Sequence, residues 1–150
     1  MAKNGMKVKL DDRRLRAMPD ALRKEGEKLV KETAMNIETR MKVKIQHGPK
    51  TGKIYTHGNV THQASAPGEP PATDTGYLAT AMAVEATKDP LTKQTNVYAE
   101  YGGILEQPET QEHGKSHIAP RPFMQPSFDD EEDSFKKGVN NLIKKAHRRV

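Results

Sequence analysis

His113 and His117 stand four apart in the run HGKSH. On a helix, that spacing puts two imidazoles on one face, where they can share a metal ion. Gly114 between them and Pro120 after them make the stretch a loop, and no carboxylate stands where it would supply a third ligand. His57 and His62 raise the same question and meet the same answer. Ser65 and Ser116 lack the strand-turn-helix setting of a nucleophile elbow. The run GPKTG over 48–52 has three residues between its glycines, whereas a phosphate-binding loop needs four, followed by Lys-Ser/Thr. Carboxylates are numerous, but none stands in an apolar setting that would raise its pKa. With zero Cys, a disulfide or cysteine-zinc framework is excluded. The residue types therefore make no case for an enzyme, and no catalytic, cofactor-binding or metal site is expected.

The composition points the same way. The chain has 150 residues, 33% of them hydrophobic, with three Phe, four Tyr and no Trp. An average globular chain is about 45–50% apolar with Gly counted. No apolar run approaches the roughly 18 residues of a membrane span. The opening MAKNGMKVKL is basic without a following apolar stretch, so no secretory leader is expected. The length suits a single domain over 1–150. Its core must be thin, which suggests extended parts or apolar surface completed by a partner chain.

The net charge is +5, and it is uneven. Residues 1–50 hold 14 Lys/Arg against 7 Asp/Glu, while 51–128 hold 5 against 8. A basic third is compatible with phosphate contact. A solvated helix face explains it as well, because Glu and Asp alternate with the cations there. Aromatic residues are almost absent from that third, so it offers no base-stacking platform.

The elements that hold these residues can be read from periodicity. Met6, Val8 and Leu10 alternate with Lys7 and Lys9, a short strand pattern within an N-terminal arm over 1–19. Val30, Ala34, Ile37, Met41 and Ile45 recur at 4, 3, 4 and 4, which predicts a helix over 20–46 extended by Leu22 and Leu29. Asp20 is its expected N-cap and His47-Gly48-Pro49 its stop. Residues 47–76 read as an extended loop holding a small hairpin around His57-Gly58. Strands are expected within 77–106: one through Met82, Val84 and Ala86, another from Val97 to Tyr101, broken at Gly102-Gly103 and resuming at Ile104-Leu105. A polar loop over 107–126 leads to a second helix over 127–148, with Phe128, Phe135, Val139, Leu142, Ile143 and Ala146 on one stripe. The acidic run 129–133 at its start and Lys144, Lys145, Arg148 and Arg149 at its end suit the helix dipole. The expected class is α+β: a small antiparallel sheet packed by a long N-terminal helix and a C-terminal helix, with a long central loop.

Three motifs occur in order along this frame. They are SAPGEPPA followed by Asp74-Thr75-Gly76-Tyr77-Leu78, then VYAEYGGILE over 97–106, then RPFMQPSF over 121–128. Together with the charged helix before them, they resemble the HK97 gp10-like family of tailed-phage proteins over about residues 20–148. That family carries an Ala-Pro … Thr-Gly-x-Leu segment, a Tyr-Ala-x-Tyr-x-x-x-Leu-Glu segment and an Arg-Pro-Phe-Met/Leu-x-Pro segment. Gly102-Gly103 departs from the bulkier pair more usual there.

The resemblance implies a non-catalytic virion protein at the head-tail joint: a neck, tail-completion or tail-terminator ring, assembled in the host bacterial cytoplasm. It implies self-association, as a hexamer or dodecamer, and contact with head connector or stopper and tail-tube proteins. DNA would pass through the lumen without sequence recognition, and no membrane is involved. The candidate assembly residues are Pro67, Gly68, Pro70, Pro71, Thr75, Gly76, Tyr98, Tyr101, Arg121, Pro122, Phe123 and Pro126. Most are turn or entry residues that shape a subunit: Gly76 for a turn, Thr75 or Asp74 as a cap, and Pro122 and Pro126 for the approach to the last helix. The alternative expectation is a small basic nucleic-acid-binding protein.

Overall fold

A computed structural model describes residues 5–11, 20–73, 75–86, 92–99, 102–106 and 119–148. His113, Ser116, His117, Asp74 and Tyr101 lie outside these residues.

The helical stripe of the first half forms as spaced. Helix α1 (Asp20–His47) buries Leu22, Val30, Ala34, Ile37, Met41 and Ile45, each at most 1% exposed. It lies across a three-stranded antiparallel sheet of β1 (Gly5–Asp11), β5 (Thr92–Ala99) and β4 (Met82–Ala86), in the order β1-β5-β4. Val97 and Ala99 of β5, two apart and therefore on one face of the strand, meet the stripe together with Met82. Ala79 from the single turn α2 (Tyr77–Thr80), Phe123 and Met124 complete the core. The alternation at Met6, Val8 and Leu10, within the expected arm, belongs to a full strand: β1 pairs with β5 from Gly5 opposite Tyr98 to Asp11 opposite Thr92. Without β1, the central strand β5 would be an open edge.

Three local expectations are corrected. Asp20 is the first helical residue of α1, and its carboxylate accepts from Arg23 Nη2 at 2.8 Å. Residues Gly102–Glu106 form a helical turn, α3, where a resumed strand was expected. The last helix, α4 (Met124–His147), begins three residues before its expected start.

The second turns on close packing. A Cβ at Gly102 would lie 2.8 Å from Ala99 Cβ and 3.1 Å from Phe123 Cζ. Only glycine lets the chain turn this tightly against the core phenylalanine.

The stripe of α4 is covered less completely than that of α1. Phe128 and Phe135 pack at the margin of the core, Val139, Leu142 and Ala146 are half-buried, and Ile143 is exposed. The acidic run is not in the first turn either. Two of its residues meet α1, where Lys44 Nζ donates to Asp130 Oδ2 at 2.8 Å and Arg40 Nε to Glu131 Oε2 at 2.9 Å. Asn36 Nδ2 donates to the other oxygen of Glu131, a buried carboxylate. Asp130 and Glu131 form an interhelical seam, for which the dipole argument does not account. No helix among the described residues is long and apolar enough to cross a membrane.

Candidate functional site: a node joining three segments

The long segment after α1 is ordered by its own hairpin and by a cluster of polar contacts. Strands β2 (Ile54–His57) and β3 (Val60–Gln63) pair antiparallel around Gly58-Asn59, within one residue of the expected turn. Tyr55 and His62, directly opposite, stack with ring centroids 5.6 Å apart. At the base, Gly52 N donates to Ala64 O and Ala64 N to Lys53 O, continuing the ladder.

Below the hairpin the chain folds on Glu69. Its carboxylate accepts from Thr51 N at 3.0 Å, Thr51 Oγ1 at 2.5 Å and Ala66 N at 2.7 Å. The hydrogen bond from the Thr51 hydroxyl, with those from the two backbone amides, holds this carboxyl below the ordinary glutamate value. Asp130 at the helix seam is likewise lowered, by its hydrogen bond from Lys44.

Arg121 binds the folded loop to the segment before α4. Its Nε donates to Ser65 Oγ at 2.9 Å, Nη2 to Ser65 O at 3.2 Å and Nη1 to Ala119 O at 3.4 Å. Its backbone N donates to Leu105 O at 2.7 Å, and Gly68 N donates to Pro120 O at 2.9 Å. Gly68 has φ +84, a left-handed turn that favours glycine, and this turn aims its amide at Pro120. Pro71 is buried beneath the loop, and Pro67 is exposed in the turn.

Glu106, at the end of α3, closes the third side. A helix start leaves amides without intrahelical partners. The N-cap position of α4 is Phe123, whose side chain cannot serve them. The Glu106 carboxylate accepts from Phe123 N at 2.7 Å, Met124 N at 2.9 Å and Gln125 N at 2.9 Å. The next residue, Pro126, has no amide hydrogen, so the start of α4 is fully satisfied. Phe123 is fully buried among the core residues.

The node therefore unites Ser65–Pro71 of the first motif, Leu105 and Glu106 of the second, and Arg121–Gln125 of the third. Of the expected assembly residues, Gly68, Arg121 and Phe123 take part directly, and Pro67, Pro70, Pro71, Pro122 and Pro126 flank them. Thr75 and Gly76 act elsewhere. Thr75 Oγ1 accepts from Tyr77 N at 3.3 Å, and Gly76, at φ +76, makes the left-handed step into α2. Tyr98 lies in β5 opposite Gly5 and Ala83.

Thr51, Glu69 and Glu106 were not singled out from the sequence, and Ser65 was weighed only as a nucleophile. Ser65, Glu69 and Glu106 stand inside the quoted motifs, which is the one signal that marked them. Chemically the node is structural, since its guanidinium and both its carboxylates are engaged by groups of the same chain. Among the described residues no group of three or more His, Asp or Glu is placed to hold a metal ion. No protein-family model, curated protein or solved structure matches this chain.

Proposed function

We propose that the protein is a structural ring subunit of a tailed phage, acting at the head-tail joint as a neck, tail-completion or tail-terminator component. In this reading it has no catalytic role, resides in the virion, and repeats one interface around an axis with DNA passing through the lumen. The observation that supports it most is the convergence of the three motifs. Segments far apart in the chain, which together carry the resemblance to the HK97 gp10-like family, meet at one hydrogen-bonded node. Such a node fixes the shape of a subunit and the base of its projecting hairpin without offering a reactive group. Exposed apolar residues add to this: Ile143 on the half-covered stripe of α4, and Ile54 and Val60 on the hairpin.

The test is removal of the gene from the phage, followed by electron microscopy of the particles. Filled heads without joined tails, or tails of abnormal termination, are expected. Normal tailed particles would overturn the reading. Light scattering coupled to gel filtration of the purified chain, alone and with connector-sized partners, measures the assembly state.

A further inference from the structure

From Thr39 to Gly68 the chain holds no aspartate or glutamate, yet it holds Arg40, Lys42, Lys44, Lys50 and Lys53. The three cations on α1 are paired, with Glu131, Glu38 and Asp130. Lys50 and Lys53, on the leg that enters the hairpin β2–β3, have no carboxylate within ion-pair distance among the described residues. The next acid along the chain, Glu69, is engaged at the hairpin base by Thr51 and Ala66. Strand alternation puts Lys53, Tyr55 and His57 on one face of the ribbon, with His62 opposite Tyr55. Lys53, Tyr55, Thr56, His57, Asn59 and Thr61 are all exposed. Ammonium, hydroxyl and amide donors of these kinds are the ones that reach phosphate oxygens.

We propose that this hairpin, through Lys50 and Lys53, contacts the phosphate backbone of duplex DNA. The inference rests on the ring reading, which supplies the duplex, and it names the segment that faces it. Exposure alone does not select these two lysines. Lys24, Lys31 and Lys137 are exposed as well, but on helices: Glu27 stands three residues after Lys24 and four before Lys31, and Asp133 four before Lys137. Residues three and four apart are neighbours on a helix surface, so a duplex approaching those lysines also meets a carboxylate. At the hairpin it meets none from the hairpin itself. Residues 50–63 also lack arginine, the side chain that most often reads a base edge, so the contact positions DNA without reading its sequence. Two lysines hold a duplex weakly in one copy, and the contact gains strength when copies repeat around a shared axis.

Lysine footprinting tests this on the full chain. The protein is acetylated at low salt with and without a short mixed-sequence DNA duplex in excess, and the rate at each lysine is read by mass spectrometry. Acetylation of Lys50 and Lys53 is expected to slow about threefold or more with duplex present, with Lys24, Lys31 and Lys137 unchanged. No protection of Lys50 and Lys53, or protection of the helix lysines instead, would overturn the proposal. Equal protection by polyglutamate at the same charge concentration would also overturn it, marking the hairpin as a surface for acidic protein. A Lys50→Gln/Lys53→Gln variant changes no core residue and is expected to melt as the wild type does. Its plot of log K against log salt should be shallower by about 2, at roughly 0.9 per phosphate. An unchanged slope would place the DNA contact elsewhere. Each of these failures leaves the ring reading standing, because the particle test above decides that reading without reference to Lys50 or Lys53.

Discussion

Glu106 shows how a single carboxylate links two elements that are remote in sequence. It accepts three backbone amides at the start of α4 from a position 17 to 19 residues earlier. Removing an N-cap costs about 0.5–2 kcal/mol, and hydrogen bonds to a charged group lie toward the stronger end. Glu106→Ala is therefore expected to destabilise the fold by about 2 kcal/mol, lowering Tm by roughly 4–8 °C. Glu106→Gln keeps an acceptor oxygen and should lose about half as much. A thermal melt of the three proteins checks this, and an alanine variant melting with the wild type would refute the capping role. The sequence did not reveal this cap because capping signals are local. Around Phe123 there is no Ser, Thr, Asp or Asn at the cap position, and periodicity carries no information about a donor-acceptor pair between two loops. Arg121 and its partner Ser65, 56 residues earlier, both stand in the quoted motifs, but no local signal pairs the one with the other.

At the scale of elements, what could be read depended on how fully each side chain is buried. The α1 stripe was legible because five residues at helical spacing all enter one core. The α4 stripe has the same spacing, yet the sequence could not show that its outer half stays uncovered, because burial depends on what lies opposite. The acidic run was misread for a related reason: helix-end charge is a local pattern, whereas pairing with α1 is tertiary. Gly102-Gly103 reads locally as a strand break, but the close approach of Phe123 to Gly102 goes with the start of α3 there. The α1–α4 seam gives a test at this scale. Glu131 is only 4% exposed, whereas the Arg40 side chain is about half exposed. Arg40→Ala leaves a buried carboxylate with Asn36 as its remaining side-chain donor among the described residues, and should cost about 1–3 kcal/mol. Glu131→Gln removes the buried charge, retains an acceptor for Asn36, and leaves Arg40 able to hydrate, so it should cost less than Arg40→Ala. Urea midpoints at constant m-value order the two variants. The reverse order would show that the pair contributes through the arginine rather than through the buried carboxylate.

For the whole molecule, the decisive question is whether the basic excess is available to a polyanion. Much of it is already answered within the chain. Among the described residues, Arg23, Lys28, Arg40, Lys42, Lys44, Lys136 and Lys145 each have a carboxylate within ion-pair distance. Several of these pairs are exposed and individually weak, so DNA phosphates can compete for the cations. Each exchange nevertheless uncovers an acid that repels the duplex. A dedicated DNA-binding protein that neutralises 6–10 phosphates shows a plot of log K against log salt with a slope of about −0.9 per phosphate. For this chain a slope no steeper than about −3 is expected, with no dependence on base sequence. Filter binding to duplex DNA across a series of salt concentrations measures it. A slope of about −6 or steeper on the isolated chain would favour the nucleic-acid-binding alternative over a ring subunit, because an incidental lumen contact in one subunit engages few phosphates. A shallow slope for the subunit that steepens only in the assembled oligomer would locate the cations around a shared axis, where many copies present a few positive charges each.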